Sequence, residues 1–312
     1  MISFIPMLAE HLGVKDQELL EKDVRLHSLL GAITRDPSMG PHLVFKGGTC
    51  LIKCFLDYPR FSSDLDFTWV ETSHGTLRTA GTKEFRKGVR PTQRALESWL
   101  REWSELQGYH VGKPEFVTYG RSNRMMTAKL GYTLRSKEDR FLKVQFSFAE
   151  HLQYPTLYVE GRSLLRGALP AAFRLLKGDL ATSYSVPVPV VAYDPQEILL
   201  EKCRAILTRT APKARDLVDL FLLEETLRLR VEDYSDGITI KTQEAVTGSA
   251  RYRRQVLDFG DRESFLLEED VTPLLLRPLD PRAFRKYRER VLPFLRTLIP
   301  RIVSGEQGDQ RA

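Results

Sequence analysis

Cysteine is scarce in this chain of 312 residues, and long apolar runs are absent. The three cysteines, Cys50, Cys54 and Cys203, do not make a secreted disulfide framework or a four-ligand zinc site. No stretch approaches the 18 consecutive apolar residues of a membrane span. The first residues, MISFIPMLAEHLGVKDQ, lack the basic start and the apolar run of a signal peptide. We therefore expect a soluble, cytoplasmic protein that does not bind membranes.

The composition is that of a globular protein with a mild excess of positive charge. Hydrophobic residues make up 42% of the chain and charged residues 28%, which is typical of folded soluble proteins. The length suggests about two domains. Lysine and arginine number 47 against 41 acidic residues, which gives a net charge of +6. This balance fits a polyanionic partner such as nucleic acid or nucleotide, but it does not establish one.

Hydrophobic periodicity predicts helices and strands in alternation over the first half of the chain. The pattern predicts, in order, a helix over residues 17–34, a strand over 42–45, a helix from Thr49 to Phe55 and a strand over 65–70. Residues 71–120 have the pattern of an insertion, with a helix from Thr92 to Leu106. Strands are predicted over 115–119, 125–134 and 140–148, and the last two form a hairpin.

A segment with two prolines separates the two halves. Residues 185–193, SVPVPVVAY, predict an edge strand or a linker, because proline cannot donate to a strand ladder. Helices are predicted from Pro195 to about residue 208, and over 213–227 and 282–298. We expect a core domain over residues 1–185 and a mainly α-helical C-terminal domain over 186–312.

The segment FKGGTCLIKCFLDYPRFSSDLDF, residues 45–67, has the spacing of a phosphate site. Gly47 and Gly48 let the backbone approach an anion, and the following helix start, with Thr49, offers N–H groups to phosphate oxygens. A Gly-Gly pair before a helix is also common in simple tight turns.

Two carboxylates follow on the predicted strand. Asp64 and Asp66 are two residues apart, so they point to the same face. Like charges this close favour protonation of one group unless a cation lies between them, and Mg²⁺ prefers such hard oxygen ligands. Arg60 and Ser62 could reach phosphate oxygens. The alternative is a pair of solvated acids on a strand edge, but the order strand, loop, helix, strand favours a site for Mg²⁺ and a nucleoside triphosphate (NTP).

The same segment resembles the minimal nucleotidyltransferases of the DNA polymerase β superfamily and, more narrowly, the AbiEii/AbiGii toxin family, which includes the MenT-type toxins of mycobacteria. The family pattern K-G-G-T-x-L-x-K, then R-x-S-x-D-x-D-F, matches Lys46 to Lys53 and Arg60 to Phe67. The resemblance implies an α+β polymerase β-type core with a mixed sheet. It also implies nucleotide binding by Lys46.

A second block agrees with this family. Residues 197–220, EILLEKCRAILTRTAPKARDLVDL, are similar to its E-K-x-R-A and R-D-x-x-D-L helices. The resemblance implies that Lys202 contacts the triphosphate, that Asp216 or Asp219 orients the attacking hydroxyl or polarises Lys202, and that the C-terminal domain completes the active site. Without the resemblance, the same block has the pattern of two exposed charged helices.

One position departs from the family pattern. Polymerase β-type enzymes place a third carboxylate on a later strand, and the corresponding position here is Gln145. A neutral amide cannot supply the charge. Either the register is shifted, or another acid replaces it, with Asp219 and Asp216 ahead of Glu150, or the site is catalytically weak.

The family resemblance also implies a function. It implies Mg²⁺-dependent transfer of a nucleoside monophosphate from NTP to an acceptor hydroxyl, most naturally the tRNA 3′ end, which blocks translation, with a cognate antitoxin as partner. Basic segments at Arg251–Arg254 and Pro281–Arg290 predict either RNA contacts or solvated helix faces. Two alternatives stay open: transfer to a protein or small molecule, and an inactive fold that serves as a binding module.

Overall fold

The structure is a computed structural model that describes residues 4–70, 81–112, 116–120, 123–134, 136–165, 179–264, 266 and 269–305. The chain divides into two compact units, Met1–Tyr193 and Asp194–Ala312. Most of the predicted polar loop at residues 73–82 and the first residue of the predicted strand, Glu115, lie outside the described residues. The first unit ends after the segment with two prolines, eight residues beyond the expected boundary at 185, because that segment pairs with the sheet.

The first unit is a mixed β-sheet with helices. Its helices are α1 (Ile5–Leu12), α2 (Gln17–Arg35), α3 (Gly47–Cys50, continued by a π-helical turn over Leu51–Phe55), α4 (Thr82–Leu106) and α5 (Asp179–Ser185). Its strands are β1 (Leu43–Lys46), β2 (Asp64–Trp69), β3 (Val117–Tyr119), β4 (Met125–Thr133), β5 (Asp139–Ser147), β6 (Leu157–Gly161) and β7 (Val188–Ala192). The strand order is β3-β4-β5-β2-β1-β7-β6. β1–β7 and β2–β5 are parallel, which confirms a mixed sheet, and β4–β5 is the predicted hairpin.

Helix α2 forms where periodicity predicts it. The Asp16 carboxylate accepts hydrogen bonds from the backbone N–H groups of Glu18 and Leu19 at 3.0 and 2.9 Å, which caps the helix start. Leu20 and Val24, one turn apart, are fully buried. The helix ends before Asp36 and Pro37, because the residue before proline disfavours the helical conformation.

The prediction that residues 185–193 form an edge strand or a linker is wrong. β7 lies inside the sheet, between β1 and β6. The prolines are tolerated because β1 pairs with β7 only where Phe45 lies beside Ala192. Pro189 pairs with Glu160 of β6, beyond the reach of β1. An internal strand can therefore hold a proline where one neighbour is too short to need its N–H.

The predicted start of the insertion helix at Thr92 is also wrong, because α4 begins ten residues earlier at Thr82 and contains Pro91. A proline inside a helix costs about 3 kcal/mol. Burial offsets this cost, since Phe85, Val89 and Leu96 are fully buried on one side of the helix, before and after the proline. Pro91 itself is exposed.

The second unit is mainly helical, as predicted. Its helices are α6 (Pro195–Thr208), α7 (Ala214–Leu227), α8 (Ser235–Thr247), α9 (Ala250–Leu257), α10 (Phe259–Arg262) and α11 (Pro281–Ser304). Asp194 caps α6 and accepts a hydrogen bond from the N–H of Gln196 at 2.8 Å. A buried ion pair of 2.5 Å joins Lys241 of α8 to Glu197 of α6. In the described part of the chain, no helix has the length and apolarity needed to cross a membrane.

His27 of α2 is a buried titratable group in the first unit. Its Nε2 lies 2.9 Å from the carbonyl oxygen of Val186 and donates to it, because a carbonyl only accepts. Its Nδ1 is buried without a hydrogen-bond partner among the described residues. Burial, together with the nearby charge of Lys53, lowers the pKa of His27 from 6.5 to about 4. The folded first unit therefore holds a neutral imidazole at pH 7.

We predict that acid weakens the fold through His27. The unfolded chain binds a proton at His27 below pH 6.5 while the folded chain does not until about pH 4, so stability is lost as pH falls through this window. Between pH 7 and pH 5 the loss from this group is about 2 kcal/mol. Urea unfolding at both pH values measures it. His27→Gln, which keeps an N–H donor for Val186, should reduce the loss, and an equal loss in the variant would contradict this origin.

Candidate active site

The turn after β1 brings the backbone against a carboxylate. α3 begins at Gly47, two residues before Thr49, so the first helical turn starts with both glycines. Gly47 has φ +76°, which favours glycine. A Cβ placed on Gly47 would lie 2.5 Å from Oδ2 of Asp66, closer than real Cβ contacts allow. The predicted loop therefore does lie beside the Asp pair, and glycine is required for the approach.

Asp64 and Asp66 project from the same face of β2. Both are half-buried, whereas Leu65 and Phe67 between and after them are fully buried on the opposite face. The buried hydroxyl of Thr49 donates to the backbone carbonyl of Asp64 and lies 2.7 Å from Oγ of Ser62. Thr49 thus joins the helix start to the beginning of the strand that carries both acids.

The neighbouring strand β5 supplies a lysine and an amide to this face. Lys143 is paired with Asp64 in the register, and its Nζ lies 3.0 Å from Oδ2 of Asp64. Gln145 is paired with Asp66, so an amide occupies the strand position beside the second acid. Its Nε2 donates to Oγ1 of Thr127 on β4 at 3.1 Å. The sequence reasoning identified Gln145 but missed Lys143, although a lysine two residues before Gln145 on the same strand must share its face.

Lys46 lies on the other side of Asp66. It is paired with Asp66 in the antiparallel ladder of β1 and β2. Its Nζ lies 3.0 Å from Oε1 of Glu150 and 5.5 Å from the ring centroid of Tyr193. Glu150, which was ranked behind Asp219 and Asp216 as a replacement acid, is therefore held by the lysine that pairs with Asp66 in the ladder.

Arg60 is turned into the protein. Its side chain is almost fully buried, and one guanidinium nitrogen donates to the carbonyl of Phe61 at 2.6 Å. This placement favours a role in shaping the loop that leads into β2 over direct contact with phosphate.

A buried polar network that includes Lys53 and Tyr58 fixes the other end of the loop that leads into β2. Nζ of Lys53 lies 2.8 Å from Oδ1 of Asp23 and also donates to the hydroxyl of Tyr58. The hydroxyl of Tyr184 donates to Oδ2 of Asp23 at 2.7 Å, and that of Tyr58 donates to the carbonyl of Arg162 at 3.0 Å. The side chains of Lys53, Tyr58 and Tyr184 thus converge on the one carboxylate of Asp23. The sequence gives no signal for Tyr184, because the contact joins residues 161 positions apart.

The second predicted block comes together in the second unit. Nζ of Lys202 lies 2.7 Å from Asp216 and 2.6 Å from Asp219, and all three side chains are buried. Arg209 also contacts Asp216. Burial alone raises the pKa of Asp216, but the charges of Lys202 and Arg209 outweigh it and leave that pKa below its usual value. The reading of this block as an exposed charged helix pair is wrong for these residues, because they are buried.

The predicted basic segments of the second unit are partly neutralised. Arg290 pairs with Glu224 and Glu232, and it belongs to the Pro281–Arg290 segment. In the other segment, Arg251 donates to Oγ1 of Thr210. Ion pairs and hydrogen bonds within the fold thus account for part of each segment.

Comparison with known proteins identifies the family. The profile described as "Nucleotidyl transferase AbiEii toxin, Type IV TA system" matches residues 28–303. The chain belongs to this AbiEii family. It is therefore a nucleotidyltransferase toxin of a type IV toxin–antitoxin system, and an antitoxin partner follows from that membership. The nucleotidyltransferase toxin MenT4 from Mycobacterium tuberculosis H37Rv is similar in structure, with a TM-score of 0.49, 19% identity and coverage of 96% of this chain and 98% of that chain. No curated protein matches the sequence.

We predict that Gly47→Ala lowers nucleotide transfer by this AbiEii toxin at least tenfold, because the added Cβ must displace Asp66. The left-handed backbone also costs about 1–2 kcal/mol. Transfer rate and free energy of unfolding should both be measured. Gly13→Ala is the matched control, since Gly13 has φ +66° and nothing within 4 Å of its Cβ position. Equal activity in the two variants would show that the approach of Gly47 to Asp66 is not needed.

Proposed function

We propose that this AbiEii toxin transfers a nucleoside monophosphate from NTP to an acceptor hydroxyl of RNA, most naturally the tRNA 3′ end, and so blocks translation. The observation that supports this most is the pair Asp64 and Asp66 on one face of β2, with the Gly47 backbone against the second acid. Neither a plain turn nor a solvated strand edge needs a backbone this close to a carboxylate.

The donor set of this face fits a magnesium ion. Among the described residues there is no group of three or more His, Cys, Asp or Glu side chains that could hold a metal by itself. Two carboxylates are nevertheless what Mg²⁺ uses when substrate phosphates complete its shell. Asp64 and Asp66 would hold the ion, which would neutralise charge on the transferring phosphates.

The surrounding side chains have separate roles in this proposal. Gly47 and Gly48 present first-turn N–H groups to the β- and γ-phosphates. Thr49 and Ser62 hold the helix start against β2. Lys46, beside Asp66 in the ladder, supplies positive charge near the nucleotide. Arg60 holds the approach to the strand rather than the substrate.

The second unit enters the proposal through its buried cluster. We assign Lys202 and Asp219 to the same reaction, with Asp216 in a supporting role, because they match the family's second block. Their mutual ion pairs support a fixed arrangement of charge. A purely structural cluster is the competing explanation, since a buried lysine with two acids also stabilises a fold.

Loss of the Asp pair tests the proposal. We predict that Asp64→Asn/Asp66→Asn abolishes incorporation of labelled nucleotide into total tRNA in the presence of Mg²⁺, because amides keep the shape but lose the charge. Each NTP should be tested in turn, which also names the nucleotide. Asp233→Asn/Asp261→Asn is a control with the same change in net charge on exposed acids.

The destination of the label separates the alternatives. The proposal is supported if label appears on tRNA with the wild type and with the control variant, but not with Asp64→Asn/Asp66→Asn. Label on protein or on a small molecule would show that the acceptor is not tRNA. No transfer to any acceptor, with NTP still bound, would favour the inactive binding module.

A second prediction separates the two explanations of Lys202. Lys202→Met leaves Asp216 and Asp219 buried without it, which should cost about 3–5 kcal/mol of stability. Adding Asp216→Asn and Asp219→Asn removes the buried charges and should restore much of that stability. If the cluster takes part in the reaction, nucleotide incorporation stays low in the triple variant. Recovery of incorporation together with stability would show that the cluster is structural.

A further inference from the structure

Helix α4 carries a continuous row of cations that the functional site does not use. Lys83, Arg86, Lys87, Arg90 and Arg94 are all exposed. Their spacing of i, i+3, i+4, i+7 and i+11 places them on one stripe of the helix. We call these five residues the α4 stripe. Glu84, the acidic residue on this half of α4, lies about 100° away around the helix axis.

Four of the five cations of the α4 stripe carry charges that no acidic side chain neutralises within the part of the chain that the structure describes. Lys83, Lys87, Arg90 and Arg94 form no ion pair with any residue that the structure describes. This contrasts with α11, where Arg290, Arg296 and Arg301 all contact acidic side chains. An open row of like charges repels itself, so it gains stability when an anionic partner covers it.

We infer that the α4 stripe binds the phosphate backbone of RNA and holds the acceptor for the nucleotidyl transfer; the second part rests on the proposed function. The stripe is about 16 Å long, enough for several phosphates of one strand. The phosphates are the acidic partner whose regular spacing a helical row of cations can match.

A protein partner or a membrane fits this surface less well. Protein interfaces need apolar or aromatic anchors at their centre, whereas the stripe consists of lysine and arginine. Membrane insertion needs an open apolar face, but the apolar face of α4, including Phe85, Val89 and Leu100, is fully buried. Nucleic-acid interfaces, by contrast, are rich in positive charge.

Contacts within the first unit anchor α4 to the start of strand β4, which pairs with β5. Nε2 of Gln93, next to Arg94, donates to the carbonyl of Asn123 at 2.8 Å, just before β4 begins. Thr127 of β4 accepts from Gln145, which pairs with Asp66. The middle of α4 is therefore anchored to the start of β4, whose next strand lies beside the carboxylates.

An exposed aromatic ring lies at the Arg94 end of the stripe. Tyr119 is 39% exposed, and its hydroxyl donates to Oε2 of Glu97 at 2.9 Å. Arg90 and Arg94 are close enough to lower its pKa, although burial and Glu97 raise that pKa overall, to about 12. A neutral ring beside two arginines could stack a base while the cations bind phosphates.

Charge reversal on the stripe tests the inference without nucleotide. Affinity of the full chain for total tRNA is measured at several salt concentrations for the wild type and for Lys87→Glu/Arg90→Glu/Arg94→Glu. Loss of three phosphate contacts should weaken binding about 100-fold near 0.1 M salt and reduce the salt slope by about 2 to 3. Lys87→Gln/Arg90→Gln/Arg94→Gln removes the attraction without adding repulsion and should show the same slope change.

The control carries the same charge change elsewhere. Lys15→Glu/Lys213→Glu/Arg230→Glu also alters the net charge by −6 on exposed residues, and it should bind tRNA within about threefold of the wild type. Equal weakening in the two charge-reversed variants would mean that net charge alone attracts RNA and would overturn the inference. Stripe variants that bind total tRNA as tightly as the wild type does would also overturn the inference.

Transfer assays keep the two proposals distinct. Where tRNA is the acceptor, the stripe variants should raise the KM for tRNA and leave the KM for NTP unchanged. Stripe-dependent tRNA binding without any transfer by the wild type would uphold the binding site and defeat the proposed reaction. Transfer to tRNA with an unchanged KM in the stripe variants would uphold the reaction and defeat the binding site.

Discussion

Two carboxylates two residues apart on one strand set the main constraint on the first unit. Two negative charges on one strand face repel each other, and cations beside them offset that repulsion. The fold answers with lysines on both flanking strands, Lys143 against Asp64 and Lys46 in the ladder beside Asp66. The glycine turn then brings the backbone of Gly47 against the second acid, where a Cβ would collide with Asp66. The strand register, the glycine turn and the flanking lysines therefore all act on the same pair of carboxylates.

Pairing with buried carboxylates also explains why lysines of both motif blocks are buried. Lys53 binds Asp23, and Lys202 binds Asp216 and Asp219, all within about 3 Å. Burial of a charge is expensive, and removal of one partner is more expensive still, so such pairs fix geometry more than they add stability. Around the first unit's loop the network joins α2, α3, α5 and the end of β6. A motif lysine can thus serve the site by holding its backbone in place without touching substrate.

The sequence predicted those features that depend on local periodicity. The helix around Val24, the β4–β5 hairpin, the shared face of Asp64 and Asp66 and the amide at Gln145 all follow from spacing along one or two elements. It failed at Pro91 and Pro189, where tertiary burial and a short neighbouring strand override the usual effect of proline. Contacts such as Tyr184 with Asp23 join distant segments and leave no local pattern. The α4 stripe was missed because the predicted helix began after most of its cations.

The side chains around Gln145 explain why an amide, rather than an acid, occupies this position. Asp64 is already balanced by Lys143 on the same strand as Gln145, and the amide beside Asp66 is held by Thr127. A glutamate there would add a third negative charge to a face on which Lys46 is already engaged by Glu150. A neutral amide keeps the strand position filled and hydrogen-bonded without that repulsion. Strand β5 therefore fills the position beside Asp66 with a hydrogen-bonded amide, and a third acid for the proposed reaction has to come from another element.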